Sequence, residues 1–256
     1  MQLEMTADLA APFKSLAQRA RVVTQAWVSG NMYCPACDRD VLEELPQNTK
    51  VADFQCSQCQ ERFQLKSQST PFRSRILDSA YRPMKEAVEE GTAPNLLLMH
   101  YRSQVWRVQD LLAVPGHFLT LSAIEERPSL APTARRAGWI GCNIVLGRLP
   151  EDGRIPIVAM EQITPREEVR AKWRQFSFLD DLRGEQRGWT ADVLACVRRL
   201  QKQTFTLGDL YAFEHELAQL HPRNKNIRPK IRQRLQVLRD HGVLTFIGRA
   251  TYELTR

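Results

Sequence analysis

Residues 34 to 67 bring two kinds of reactive side chain close together in the chain. Four cysteines form two C-x2-C pairs, Cys34 with Cys37 and Cys56 with Cys59, separated by 18 residues. This spacing is typical of a four-thiolate zinc site, because each C-x2-C turn presents two sulfurs on one side and two such turns complete a tetrahedron. Protein ligands would fill all four positions, so the zinc is expected to be structural. Two disulfides are the alternative, although such pairs in a cytosolic chain are more often metal ligands.

The same stretch contains an Asp, a Gln and a Lys that together could hydrolyse a phosphodiester. Asp53 lies in a short predicted strand, Val51 to Phe54, and Gln64 and Lys66 share one face of the next strand because alternate residues point the same way. Oxygens of Asp53 and Gln64 would hold Mg²⁺ against the scissile phosphate, and Lys66 would orient or activate the attacking water. The spacing D-x10-Q-x-K also arises often by chance, and Lys66 could be an ordinary surface lysine.

The elements around these residues indicate an α/β core. Apolar residues at helical spacing predict a helix over residues 9 to 29, ended by Gly30, and a second helix over 74 to 89. Short strands are predicted at 51 to 54 and 62 to 65, buried strands at 95 to 101 and 105 to 115, and a further strand within 151 to 163.

Length and composition fit a two-domain protein without a membrane span. The chain has 256 residues, and none of its apolar runs approaches the roughly 20 residues that a spanning helix needs. The N-terminus is polar and amphipathic, without the charged region and cleavage site of a secretory signal, so a cytoplasmic protein is expected. Two isolated cysteines, Cys142 and Cys196, lie in apolar surroundings and are interpreted as packing residues.

The last 74 residues, 183 to 256, form a predicted winged helix. Three helices are expected at 189 to 200, at 206 to 220 with Thr206 as N-cap, and at 227 to 241, followed by two short strands around a Gly-containing turn. This segment contains 14 Lys and Arg against 7 Asp and Glu, whereas the rest of the chain is balanced, so it carries the whole net charge of +7. A small basic domain beside a neutral one favours a polyanion partner, most simply nucleic acid.

The third helix of this domain has the composition of a DNA-reading helix. Ile231, Leu235 and Leu238 form its apolar stripe, and the basic and amide side chains are expected on the remaining surface, where they could contact phosphates and base edges in the major groove. A protein-interaction module is the alternative for a winged helix. The candidate DNA-binding residues are Arg228, Lys230, Arg232, Gln233 and Arg234 of the helix, and Arg249 of the wing turn.

One further segment, residues 130 to 144, combines two arginines with a tryptophan among small residues. Arg135 and Arg136 stand close to Trp139. On pattern alone the favoured interpretation is a buried Trp flanked by two solvated arginines.

Several blocks of the sequence resemble the DpnI-like family of restriction endonucleases, which cut only adenine-methylated GATC. The resemblance covers nearly the whole chain, and its Arg-Trp block is highly specific. The blocks are ARVVTQAWV (20–28), the paired cysteines around VADF, LKS (65–67), APTARRAGWIGCNI (131–144), RGWT (187–190) and KIRQRLQVLRD (230–240).

The resemblance implies a PD-(D/E)xK nuclease domain with a zinc-binding insertion over residues 1–182 and a winged helix over 183–256. It implies a monomeric, Mg²⁺-dependent type II endonuclease that hydrolyses both strands of double-stranded DNA at N6-methyladenine-containing GATC, with both domains recognising that site. Asp53 matches the first metal-binding acid, Lys66 the catalytic lysine and Trp139 the aromatic residue of the methyl-sensing pocket. Arg135 and Arg136 belong to the same block and, with Trp139, are candidate DNA-binding residues.

The chain departs from the family at one position, where Gln64 replaces a Glu. An amide oxygen can ligate Mg²⁺ but brings no charge, so the affinity for the metal is expected to fall. Other nuclease branches of the superfamily resemble this chain in using Q-x-K, which favours an active enzyme. Glu61 is a poor substitute, because its odd offset from Lys66 puts it on the opposite strand face unless a bulge intervenes. A catalytically silent reader or regulator that binds methylated DNA is the alternative.

Overall fold

The computed structural model of the chain describes residues 1–46, 49 and 52–255. The first part of the chain folds, in order, into α1 (Leu16–Asn31), β1 (Glu43–Glu44), β2 (Phe54–Gln55), β3 (Arg62–Gln68), β4 (Arg75–Ala80), α2 (Tyr81–Glu90), β5 (Asn95–Arg102), β6 (Arg107–Val114), β7 (Ile124–Glu126), β8 (Gly141–Val145), β9 (Ile155–Ala159), β10 (Gln162–Ile163) and α3 (Arg166–Gln175). The C-terminal part consists of α4 (Gly184–Arg199), β11 (Thr204–Thr206), α5 (Leu207–Tyr211), α6 (Glu214–Leu220), α7 (Ile227–Asp240), β12 (Leu244–Gly248) and β13 (Thr251–Leu254).

A mixed seven-stranded sheet organises the first part, with the strand order β1-β2-β3-β5-β6-β9-β10. Strands β3 and β5 run parallel, and Lys66 is paired with Leu98 in their register. The other neighbouring pairs run antiparallel. The α/β prediction for this part of the chain is confirmed, as are the strands predicted at 95 to 101 and 105 to 115.

Both faces of this sheet are covered, as the alternation along β5 shows. Leu96 and Leu98 lie in one apolar core with Met84 of α2, whereas Leu97 and Met99 lie in another core with α1 and α3. A strand buried on both sides reads as a continuous apolar run, which is why residues 95 to 101 were recognisable from sequence. Gln64 and Lys66 of β3 lie on the α2 side, since Phe63 and Leu65 pack in the core with α1.

The predicted helix over 74 to 89 is wrong in its first half. Residues 75–80 form β4, the edge strand of a second sheet with the order β4-β8-β7, and the helix α2 starts only at Tyr81. Ile76 and Asp78 of β4 are buried while Arg75 and Leu77 are exposed, which is the two-residue period of a strand. The partner strand β8 lies more than 60 residues further along the chain, so no local pattern could indicate the pairing.

The first helix also differs from its prediction. α1 begins at Leu16 rather than residue 9, because Pro12 precedes it and proline lacks the backbone N–H that a helix interior requires. Gly30 lies inside the helix, which ends at Asn31. Of the strand predicted over 51 to 54, Val51 lies outside the described residues, and β2 begins at Phe54.

The C-terminal part is a winged helix, as predicted. Thr206 caps α5 in a capping box with Asp209, and the expected helix over 206 to 220 is divided into α5 and α6. α7 carries Pro229 in its first turn and is followed by Gly242 with φ of 72°. The predicted hairpin is β12 and β13, and β11 adds a third strand beside β13. Within the described part of the chain, no helix combines the length and apolar character of a membrane span.

Candidate functional site

The four paired cysteines meet in one cluster between α1 and β3. Their sulfurs all lie within 4.8 Å of one another, with 3.6 Å between Cys34 and Cys59 and 3.5 Å between Cys37 and Cys56. A zinc ion with four thiolates at about 2.3 Å requires sulfur separations of about 3.8 Å, whereas a disulfide requires about 2.05 Å. All four are free thiols, so the cluster could hold zinc and the disulfide alternative does not apply.

Hydrogen bonds from α3 hold the segment around this cysteine cluster against the first part of the chain. Burial raises the pKa of the Cys34 thiol above its usual range, so a bound cation is what would keep it as a thiolate at neutral pH. Arg170 of α3 donates hydrogen bonds to the carbonyls of Cys34 and Arg39, and its guanidinium lies 5.3 Å from the ring centre of Tyr33. Helix α3 therefore contacts the segment that carries the first CxxC pair.

The second CxxC turn lies between Asp53, which precedes it in the chain, and β3, which follows it. The antiparallel register of β2 and β3 pairs Phe54 with Phe63, so Asp53 lies opposite Gln64. The Asp53 carboxylate accepts a hydrogen bond of 2.8 Å from the backbone N–H of Leu65. The structure thus places the Asp of one strand end beside the Gln of the next, as the sequence predicted.

Gln64 has an unusual environment for an amide. Its side-chain oxygen Oε1 is shielded from solvent, yet it accepts no hydrogen bond from any residue the structure describes. A buried carbonyl without a donor costs about 1–3 kcal/mol, so such an atom calls for an explanation. A cation beside Asp53 would satisfy it, and the donor set of one carboxylate and one amide oxygen fits a hard divalent metal such as Mg²⁺.

Lys66 is joined in the site by an acid that the sequence analysis did not identify. Its ammonium group forms an ion pair with the carboxylate of Asp78, whose side chain is 0% exposed. Asp78 was missed because residues 74 to 89 were predicted to be helical. The alternation of Arg75, Ile76, Leu77 and Asp78 is the signal that could have revealed the strand and the inward direction of this Asp.

Neighbouring polar residues fix β3 without entering the site. Ser67 points to the opposite face of β3 from Lys66, where its hydroxyl lies 3.1 Å from that of Thr24 in α1. Glu61 accepts a hydrogen bond of 2.6 Å from Asn95 at the start of β5. Glu61 is therefore engaged elsewhere and does not replace the missing carboxylate at position 64.

The segment with the two arginines and the tryptophan is an exposed excursion between β7 and β8, which we call the Arg-Trp loop (residues 127–140). Reciprocal backbone hydrogen bonds of Leu130 with Gly138 and Trp139 close it. Arg135 and Arg136 are exposed, and neither side chain forms a hydrogen bond or ion pair with any residue that the structure describes. Both cations are therefore accessible to an anionic partner.

Trp139 is only half-buried, which contradicts the interpretation of a core tryptophan. Its ring edge lies against Gly141, where a Cβ would come within 2.6 Å of ring carbon Cη2. Only a glycine allows this approach. The ring is thus fixed along one edge, and the side chain remains partly accessible to solvent.

The predicted DNA-binding residues of the winged helix divide into accessible, engaged and buried groups. Lys230 is half-buried, whereas Gln233 and Arg249 are exposed, the last in the wing turn with φ of 46°. Arg232 and Arg228 are exposed but contact α5 and α6. Arg232 donates to the Tyr211 hydroxyl at 2.9 Å, and Arg228 pairs with Glu214 at 2.8 Å.

Arg234 is buried at 3% exposure, so its expected place on the surface of α7 is wrong. It lies three residues after Ile231 and four before Leu238, on the stripe that packs against the rest of the domain. Gln236, which the sequence analysis did not select, is exposed beside Gln233. The exposed residues of α7 are Arg228, Pro229, Arg232, Gln233, Gln236, Arg239 and Asp240.

Comparison with family models agrees with this arrangement. Residues 1–182 match the model of the DpnI or Dam-replacing family, and residues 185–254 match the model of the Dam-replacing helix-turn-helix domain. These matches imply a restriction-type nuclease and a DNA-binding C-terminal domain. The first match alone covers more than half of the chain, and the protein belongs to the Dam-replacing (DpnI) family.

Proposed function

We propose that this protein is a methyl-directed type II endonuclease that hydrolyses both strands of duplex DNA at GATC containing N6-methyladenine. It acts as a monomer with a PD-(D/E)xK-type catalytic centre made of Asp53, Gln64 and Lys66. The observation that carries the proposal is the unpartnered Oε1 of Gln64 beside Asp53, on the same strand face as Lys66. Six free thiols fit the reducing cytoplasm.

The residues of the centre have separate roles in hydrolysis. Mg²⁺, held by the carboxylate of Asp53 and Oε1 of Gln64, would supply a Lewis acid for the scissile phosphate. Lys66 places an ammonium group on the same face, where it can donate a hydrogen bond to the attacking water or to a phosphate oxygen and so stabilise developing negative charge. The backbone N–H of Leu65 fixes the orientation of Asp53.

The Arg-Trp loop supplies the methyl preference in this proposal. N6-methylation adds an apolar group to the major-groove edge of adenine and keeps one N–H. The accessible face of Trp139 can bury that methyl, while Arg135 and Arg136 contact the backbone. On the winged helix, Lys230, Arg232, Gln233 and Arg249 form a second reading surface, with Arg228 at its edge.

Plasmid cleavage tests this function. Plasmid DNA from an adenine-methylating host and from a non-methylating host is incubated with the protein and Mg²⁺ or Mn²⁺. We expect cutting of the methylated plasmid alone. Cutting of neither plasmid would refute the enzyme, and equal cutting of both would refute the methyl dependence.

Gln64 favours a second candidate, a silent reader of methylated DNA. In this alternative, the uncharged amide of Gln64 leaves the site with too little negative charge to hold the metal, while both DNA-contacting surfaces remain. Under that alternative, the protein shifts a methylated duplex in a gel but leaves it intact at any Mg²⁺ or Mn²⁺ concentration.

Restoring the carboxylate at position 64 is expected to strengthen the metal site. Gln64→Glu adds a negative charge beside Asp53, so the Mg²⁺ concentration for half-maximal cleavage should fall by about tenfold. Gln68→Glu is the matched control, because residue 68 is on the same face of β3 but two positions beyond Lys66. If the Mg²⁺ concentration for half-maximal cleavage is unchanged in Gln64→Glu, residue 64 is not a ligand of the metal.

Removing the Trp139 ring is expected to weaken discrimination by methylation. A buried methyl contributes about 0.8 kcal/mol, or about fourfold, and a palindromic site carries two. The ratio of cleavage rates on methylated and unmethylated duplexes should therefore fall at least about fourfold in Trp139→Ala. Trp106→Ala, at a tryptophan stacked on Tyr101 outside the loop, should leave the ratio unchanged. A preserved ratio in Trp139→Ala would place the methyl contact elsewhere.

A further inference from the structure

We infer that Asp78 is the positioning residue for Lys66, a role that rests on the proposed nuclease function. Among the residues that the structure describes, Asp78 is the one acid that forms an ion pair with Lys66. The Asp78 side chain is 0% exposed and that of Lys66 is 18% exposed. The pair therefore lies inside the site rather than on the solvated surface, where its geometry would be loose.

A break in strand pairing directs Asp78 toward Lys66. Strands β4 and β8 pair regularly from Arg75 to Leu77 and resume at Ala80 with Gly141, with a register shift between Leu77 and Ala80. Such irregularities bend a strand and re-aim a side chain. Asp78 thus reaches from the second sheet across to Lys66 on β3 of the first sheet.

The second oxygen of Asp78 is also placed by β8. The thiol of Cys142 lies 3.9 Å from Oδ2 of Asp78 and donates to the carbonyl of Ser79 at 3.4 Å. Cys142 follows Gly141, against which the Trp139 ring packs. The strand that continues from the Arg-Trp loop therefore also holds the carboxylate that positions Lys66.

Lys66 needs such a partner because its side chain is long and flexible. A lysine has about 2 kcal/mol of rotamer entropy and a single point charge at its end. In this chain residue 64 is an uncharged amide, so it cannot hold the ammonium group by charge. A fixed carboxylate shielded from water keeps the ammonium within the site, where a misplacement of about 1 Å can cost about 100-fold in rate.

Steady-state cleavage of a methylated GATC duplex tests this role with three variants. Asp78→Asn removes the charge, Asp78→Glu keeps it, and Asp110→Asn removes a carboxylate that pairs with His100 two strands away. For Asp78→Asn we expect kcat to fall by about 10-fold to 100-fold while KM and the DNA dissociation constant stay within threefold. The kcat of Asp78→Glu should be at least threefold higher than that of Asp78→Asn, and Asp110→Asn should retain the parent kcat.

Three results would overturn the positioning role. They are an Asp78→Asn kcat within twofold of the parent, an equal loss in Asp110→Asn, or an Asp78→Glu variant no faster than Asp78→Asn. If the unsubstituted chain cuts no DNA, the proposed function falls and the positioning role falls with it. An active parent with an unaffected Asp78→Asn variant refutes the positioning role alone.

Thermal unfolding provides a second measure that does not depend on cleavage. Asp78→Asn leaves the ammonium of Lys66 without its counter-charge, so the double variant with Lys66→Met should unfold no lower than Asp78→Asn alone. Shifts of the unfolding midpoint that simply add would show that the two side chains do not act as a pair, which would overturn the inference.

Discussion

Lys66→Met is expected to lower the cleavage rate of methylated duplex DNA by at least about a thousandfold. The substitution keeps the length of the side chain but removes the ammonium group, which lies on the strand face that carries Gln64. In enzymes with well-ordered sites, removing a single hydrogen-bond donor to the charge that develops in the transition state lowers kcat by a factor of about 10² to 10³. Lys66 is also proposed to lie beside the attacking water, so the loss should be at the upper end of this range or above it. Initial rates on a methylated oligonucleotide duplex measure the effect.

DNA binding by Lys66→Met should be retained, because the Arg-Trp loop and α7 are untouched. Lys172→Met is the matched control, since that lysine lies on α3 and pairs with Glu168 at the surface. We expect it to cleave at the parent rate. A Lys66→Met protein that still cuts within tenfold of the parent would exclude Lys66 from the chemistry.

Cys56→Ser is expected to release the zinc and unfold the nuclease part. Structural four-thiolate sites contribute about 10–16 kcal/mol in apparent free energy, as much as the whole stability of about 5–15 kcal/mol of an ordinary domain. Asp53 directly precedes β2 and Cys56 directly follows β2. Loss of the metal therefore removes the anchor of β2 and of Asp53. Metal analysis of protein purified without chelator, together with thermal unfolding, measures the effect.

Cys196→Ser is the matched control for this prediction. Cys196 is also a buried free thiol, but it lies in α4, outside the cluster. It should keep one zinc per chain and lose only the roughly 1–3 kcal/mol that a buried hydroxyl can cost. A Cys56→Ser protein with a full complement of zinc, or a parent protein that contains none, would contradict the assignment of the cluster.

The features that sequence predicted correctly depend on local patterns. The two CxxC turns, the shared face of Gln64 and Lys66, and the N-cap at Thr206 each depend on a few neighbouring residues. They follow from turn and cap chemistry or from the period of a strand. The same holds for the continuous apolar run of β5, which is buried on both sides.

The features that sequence missed depend on contacts between distant segments. Asp78 faces Lys66 because β4 pairs with β8 far along the chain, and residues 75–80 alone do not reveal that partner. Arg234 is buried because it lies on the side of α7 that packs against the rest of the domain, although its charge predicted an exposed position. Trp139 is accessible because the Arg-Trp loop stands out from the sheet, whereas a tryptophan among small residues suggested a core position.

Methyl-dependent cleavage of DNA through the proposed centre of Asp53, Gln64 and Lys66 is the function that these residues support. Its most direct test is the rate of double-strand cleavage of four oligonucleotide duplexes with Mg²⁺, which carry GATC with no, one or two N6-methyl groups, or a scrambled site with methyladenine. This function predicts rates that rise with each methyl in GATC, no cleavage of the scrambled site, and loss of all cleavage in Lys66→Met. Binding of the doubly methylated duplex without cleavage, or equal cleavage of all four duplexes, would contradict it.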